Sequence, residues 1–135
     1  MKKNKILSLD IGSKNTGIAI SDSTQSIAFC YSTIPTQHLT QTLQDIIQQE
    51  NISKIVVGEN LYQSKHFQVA DFIKQIQEMQ EVQALKIEVQ TFNEDFSTQK
   101  AKDFAKEQKM TDREFKLKKD ELAARIILQD YIDQL

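Results

Sequence analysis

Apolar and polar positions follow two different rhythms along this chain. Three short apolar runs come first: KILSLD (5–10), GIAISD (17–22) and IAFCYST (27–33). Each has the length of a strand, and the short polar connections between them predict an antiparallel meander. The period then lengthens. Over residues 38–50, Leu39, Leu43, Ile46 and Ile47 recur at helical spacing. KIVVG (54–58) is a compact apolar run and predicts a central strand. Val69, Ile73, Ile76 and Met79 place a second amphipathic helix over residues 65–80, and the alternating KIEVQT (86–91) predicts a fifth strand. A third helix is expected over residues 97–108, with Ser97 or Thr98 as N-cap. TDRE (111–114) carries the capping-box pattern. The stripe Ala124, Ile127, Leu128, Tyr131 and Leu135 predicts a last helix from about Lys119 to the end.

This order predicts an α/β fold: three antiparallel strands, then alternating helix and strand, giving a mixed five-stranded sheet flanked by helices. It is the strand order of a ribonuclease H-like fold, although the pattern alone does not single that fold out. With 135 residues and no repeat or linker, one domain over 1–135 is expected, long enough to bury a sizeable core. Beyond Gly58 the chain has neither glycine nor proline, so later element boundaries rest on periodicity alone.

Composition narrows the function classes. The single cysteine, Cys30, permits no internal disulfide and suits a reducing, cytoplasmic setting. The basic start MKKNK is followed by no apolar h-region, and no stretch approaches the roughly 20 apolar residues of a membrane span. A net charge of -2 and a pI near 5.7 argue against coating nucleic acid by charge alone. The distribution is uneven, however. Lys100 to Lys119 holds eight basic and four acidic residues, a local net of +4. Such a run is a solvated helix face or a surface that steers phosphates.

The acids at strand ends carry the chemistry. Asp10 closes the first strand, Glu94 follows the fifth, and Asp120 stands at the start of the last helix. Ligands of open α/β sheets bind beyond the carboxyl ends of the strands. If the three converge, their mutual repulsion requires cations between them. Mg²⁺ or Mn²⁺ takes such oxygen ligands together with substrate phosphates, and two ions can activate water and stabilise a leaving oxygen. Each acid also has a plainer role: Asp10 as a turn cap, Asp120 as a helix N-terminal acid, Glu94 as an exposed loop residue.

Three segments carry a family resemblance. LSLDIGSKNTGIAISD (7–22), NEDFST (93–98) and KKDELAARIILQDYI (118–132) resemble, in order, the opening strand pair, the Asp-Glu-Arg-Leu-Ser-Thr segment and the C-terminal Lys-x-Asp-x-x-Ala-Ala stretch of the bacterial YqgF-type nucleases. That family is known both as Holliday junction resolvases and as pre-16S rRNA nucleases. The resemblance implies a ribonuclease H-like fold and a divalent-metal site on Asp10, Glu94 and Asp120. It also implies 5′-end trimming of precursor 16S rRNA at the small ribosomal subunit, or cleavage of branched DNA. The chain departs from the family at Asn93-Glu94-Asp95, where an acid replaces an arginine, and at ENLYQSK (59–65), which lacks the family's proline and glycine.

Around these acids, Lys14, Ser97, Thr98, Lys116, Lys118 and Lys119 are candidate nucleic-acid contacts, the last three as residues that steer a phosphate backbone. Gly12 and Gly17 are read as shaping the turn beside Asp10. Asp22 matches the family pattern but has no assigned chemistry. Cys30 is expected to be buried, with Phe29 and Tyr31 packing rather than stacking on bases. His38 and His66 lack metal-ligand spacing. Two other classes compete with a nuclease. A sugar-kinase or actin-like ATPase shares the Asp-x-Gly turn but needs two domains. A non-catalytic RNA-binding assembly module would keep the fold without the chemistry.

Overall fold

The computed structural model describes residues 4–59, 69–93 and 97–135, and the side chains of all of these but Ser97 and Thr98. The strands are β1 (Lys5–Ile11), β2 (Asn15–Ser21), β3 (Ala28–Pro35), β4 (Ile52–Glu59) and β5 (Glu88–Asn93). The helices are α1 (Leu39–Gln49), α2 (Val69–Gln77), α3 (Gln80–Ala84), α4 (Ser97–Glu107) and α5 (Asp112–Asp133), with a single 3₁₀ turn at Thr36–His38. The sheet runs β3-β2-β1-β4-β5. Its first three strands are antiparallel, and β1, β4 and β5 are parallel. This is the expected mixed sheet.

Side chains of β1 alternate between two cores. Leu7, Leu9 and Ile11 face the layer of Leu39, Leu43, Ile46 and Ile47 from α1, Val69 and Ile76 from α2, and Val82 from α3. Ile6 faces the other layer, where Ala19, Ala28 and Val56 meet Ala124, Ile127, Leu128, Tyr131 and Ile132 of α5. Ser8 lies on the same face, its hydroxyl donating to the Ala124 carbonyl at 2.7 Å. By alternation, so does Asp10.

α5 crosses all five strands, and small residues lie beneath it. A Cβ on Gly17 would overlap the Asp120 carbonyl and stand 2.7 Å from the Glu121 amide nitrogen. A Cβ on Gly58 would meet Ile127 Cδ1 at 2.5 Å. Over β3 the Cys30 thiol donates to the Glu121 carbonyl at 3.7 Å, and over β5 the Tyr131 hydroxyl donates to Gln90 Oε1 at 3.0 Å.

Leu135, expected in the stripe of the last helix, lies beyond the end of α5 and is exposed, and three larger departures from the sequence expectations concern the elements themselves. First, α5 begins at Asp112, not near Lys119. Thr111 caps it, its hydroxyl accepting from the Glu114 amide at 3.1 Å and donating to Glu114 Oε1 at 3.1 Å, so the threonine half of the TDRE capping pattern is formed. The first turns of α5 carry no apolar stripe because they face solvent. Second, the helix expected over 65–80 ends at Gln77, Met79 is extended, and α3 follows. Val82 comes six residues after Ile76, about 240° round an unbroken helix at 3.6 residues per turn. The break brings both into one core. Third, Gly17 lies inside β2 and not in the turn, and no glycine has positive φ. Its missing side chain makes room for the α5 backbone.

Gly17→Ala must therefore push α5 off the sheet, whereas Gly58→Ala displaces only a side-chain tip. Urea unfolding is expected to show a loss of about 3 kcal/mol for Gly17→Ala and less than about 1.5 kcal/mol for Gly58→Ala. Equal losses would contradict the close α5 crossing.

Candidate active site

Asp10 pairs with Gly17 across the β1–β2 ladder, and Gly17 lies against the backbone of Asp120. The tight crossing thus brings together two carboxylates that are 110 positions apart in sequence. Asp120 sits in the third turn of α5, which removes its plainer reading as a helix N-terminal acid. Burial, and then the negative charge of Asp120, push the Asp10 carboxyl up to about 6 from an ordinary 3.8. Burial also raises the Asp120 carboxyl, with Lys119 opposing it. Glu121 is raised in turn by burial, against the pull of Lys118, with Asp120 adding to the rise. The sequence reading passed over Glu121. Only the phase of α5 against β3 shows that it belongs beside the pair.

The turn beside Asp10 is pinned from below. The Gly12 amide donates to the Asn15 carbonyl at 2.9 Å, and the Thr36 hydroxyl donates to the Gly12 carbonyl at 2.6 Å. Buried Thr16 and Thr36 join their hydroxyls at 2.9 Å, and the Thr36 amide donates to the Lys14 carbonyl at 2.8 Å. Lys14 is thereby held on a fixed turn with its side chain exposed. These threonines also escaped the sequence reading, since nothing in their spacing marks them.

The remaining candidates are distributed unevenly. Lys116, Lys118 and Lys119 lie on the exposed first half of α5, with Lys118 and Lys119 close enough to act on Glu121 and Asp120. Ser97 and Thr98 are the first two residues of α4. Glu94, Asp95 and the expected loop ENLYQSK beyond Glu59, together with His66, lie outside the described residues. Among the described residues no three His, Cys, Asp or Glu side chains gather as a metal site. What is described is a carboxylate pair. Hard oxygen donors that resist ionisation in the absence of a cation suit Mg²⁺ or Mn²⁺.

Asp22 belongs elsewhere. It closes the β2–β3 hairpin, accepting from the Thr24 hydroxyl and from the Ser26 and Ile27 amides at 2.8 and 3.0 Å. These bonds hold its carboxyl down to about 2. Its role is structural. Cys30, expected in the core, is exposed on the edge strand, and so are Phe29 and Tyr31. Its sulfur is tucked toward α5, where partial burial and the Glu121 charge push the thiol pKa up. His38 is exposed. No helix among the described residues is long and apolar enough to cross a membrane.

Comparison with known proteins places this geometry in a family. The family model described as RuvX, Holliday junction resolvase, matches residues 4–134. A protein of Malacoplasma penetrans named "Putative pre-16S rRNA nuclease" is 33% identical over 135 residues, covering 96% of this chain and 94% of that protein. One of the same name from Bacteroides fragilis is 33% identical over 137 residues, covering 96% of each. In fold, the chain is similar to RuvC of T. thermophilus, solved in complex with a Holliday junction substrate. The TM-score is 0.59 at 11% identity, over 96% of this chain and 94% of that one.

The raised Asp10 carboxyl has a consequence for stability. The native state holds this proton more tightly than the unfolded chain, so its contribution falls as pH rises from about 4 to about 6 and stays low above. Asp10→Asn is expected to stabilise the metal-free protein by on the order of 2 kcal/mol at pH 8, at about 1.4 kcal/mol per pKa unit. The gain should vanish near pH 4. Urea midpoints in chelator at both pH values check this, and a variant destabilised equally at both would contradict it.

Proposed function

The chain belongs to the RuvX family, and on that premise we propose that it is a divalent-metal-dependent nuclease with its site at Asp10, Glu94 and Asp120. The observation that carries this reading is the carboxylate pair under the α5 crossing. Two acids from distant parts of the chain meet where burial opposes the charge of both and the Asp120 charge further opposes that of Asp10. A protein gains no stability from such a pair, so its use lies in binding a cation. We further take residues 1–135 as one ribonuclease H-like unit working in the cytoplasm.

Mg²⁺ or Mn²⁺ held by Asp10, Glu94 and Asp120 would supply charge neutralisation and water activation, as in two-metal phosphodiester hydrolysis. The chain's own residues do the rest. Gly17 and the α5 backbone fix the spacing of the acids. The turn pinned by Thr36 presents Lys14 to a phosphate flanking the cut. Lys116, Lys118 and Lys119 draw the backbone toward the acids, and the hydroxyls of Ser97 and Thr98 with the amides of the α4 N-terminus are further phosphate contacts. The substrate proposed from the relatives' names is precursor 16S rRNA, trimmed at its 5′ end in association with the small ribosomal subunit.

The test incubates purified protein with precursor 16S rRNA and with a four-way DNA junction, in Mg²⁺, Mn²⁺ or chelator. Cleavage of the RNA should require metal. Asp10→Asn and Asp120→Asn should each lower its rate about 100-fold or more, the several kcal/mol that a metal contributes, while remaining folded. A wild-type rate in either variant removes that residue from the site. Preferred cutting of the junction would transfer the site to branched DNA, and RNA binding without cleavage at any metal level would make the chain an assembly module.

A further inference from the structure

Large apolar side chains are exposed mainly in one place. Of the six among the described residues, Ile27 at 51%, Phe29 at 51% and Tyr31 at 38% lie on or beside edge strand β3. A fourth, Leu117 at 70%, lies on α5 one turn before Glu121, whose carbonyl meets Cys30 on that strand. The nuclease reading makes no use of this group.

The edge is not built to pair with another strand. Ile18 is opposite Ser32 and Ala19 is opposite Cys30, which leaves Tyr31 as the extra residue of a bulge. A bulge interrupts the outer ladder and re-aims its side chain, a device that blocks sheet extension by a second copy. The two aromatics are spread around the rim: Phe29 pairs with Ile20 on the α1 side, while Cys30 between them turns toward α5.

Cations border the rim. Arg125 Nε donates to the Ala28 carbonyl at 3.2 Å, so its guanidinium is anchored on β3 itself. Lys118 and Arg125 both act on Cys30 from α5. These cations lie on the α5 side and Phe29 on the α1 side, so the rim joins exposed aromatic and basic surface across one edge, the composition by which proteins hold unpaired nucleic acid. The distance also suits that use. Thr33 pairs with Gly17, and Gly17 with Asp10, so Tyr31 lies two strands across and two residues along from Asp10. At about 4.8 Å per strand and 3.3 Å per residue the separation is roughly 12 Å. That is about three to four stacked nucleotides at 3.4 Å each.

We propose that the rim of β3 binds an unpaired strand flanking the cut site, with Phe29 and Tyr31 stacking on bases and Lys118 and Arg125 holding phosphates. The substrate class is then a single-stranded or frayed segment, not a continuous duplex. This rests on the reading of Asp10 and Asp120 as a nuclease site.

The chain has no tryptophan, so Tyr31→Trp installs a lone tryptophan on the rim, excited selectively at about 295 nm. On an Asp10→Asn background with Mg²⁺, the probes are a labelled single-stranded RNA of about 12 nucleotides and the blunt duplex of the same sequence. Tryptophan emission should be quenched by the single strand and not by the duplex. Phe29→Ala with Tyr31→Ala should weaken single-strand binding about tenfold or more, the scale of lost stacking, and leave duplex binding within about twofold. Tyr31→Phe should restore it. Absence of quenching at saturation, or equal losses on both probes, overturns the proposal. So does unchanged RNA affinity accompanied by a shift from a larger species to monomer in sedimentation, which would make the rim a protein interface. Quenching by RNA that the wild-type protein never cleaves refutes the nuclease reading alone; cleavage without quenching refutes the stacking rim alone.

Discussion

The structure depends on how closely α5 lies on the sheet at Gly17. A side chain there would overlap the Asp120 carbonyl. Ser8, Ala19 and Ala28 keep the surrounding surface low, and the buried Ser8 hydroxyl bonds the helix backbone directly. From that point α5 continues over β4 and β5, where Ile127 fills the space above Gly58 and Tyr131 meets the ring of Phe92 edge-on at 5.7 Å. One crossing thus fixes the second core and the position of Asp120 over the end of β1. Fold and site share a single constraint, so the α5 axis cannot shift without moving the carboxylates apart.

The same crossing makes the site electrostatically costly. Asp10 and Asp120 lose hydration under the helix, and each would ionise more readily in water. The described cations that act on these acids are exposed: Lys119 acts on Asp120, and Lys118 on Glu121. The apolar layers on both faces of the sheet offset this cost. Asp22 shows the contrast. Placed on a solvated hairpin and surrounded by donors, the same residue type ionises more easily than usual and locks a turn.

Much of this was legible in the sequence because the two rhythms of apolar residues are strong. The five strands and the order of the main helices follow from them, and two of the family segments point to Asp10 and Asp120, which the structure brings together, while Glu94 lies outside the described residues. What was not legible has physical causes. The start of α5 hides because a helix that overhangs the sheet has no apolar face to keep, and only its capping box marks it. The break at Met79 has no glycine or proline and exists to turn Val82 inward. Cys30, Phe29 and Tyr31 form a run as apolar as a core strand, yet β3 is the sheet's edge, and strand order is a long-range property that local pattern does not carry. Gly17 was visible as a glycine, but its partner lies more than 100 positions away.

The charge pattern resolves an apparent conflict between an acidic chain and a polyanionic substrate. The net charge of -2 is an average over two populations. The acids beside the crossing are part-buried, and burial pushes their carboxyls above the ordinary range. The lysines at the start of α5 are exposed and extend outward from the same helix. On the proposed reading, a phosphate strand would meet the cations first and the carboxylates last. Such contacts are few, so attraction is local and salt-sensitive rather than spread over the molecule. Selectivity must then come from shape and position near the acids, not from overall charge. A long helix that is solvated at one end and buried at the other supplies both, because it carries the lysines and Asp120 on one rigid element.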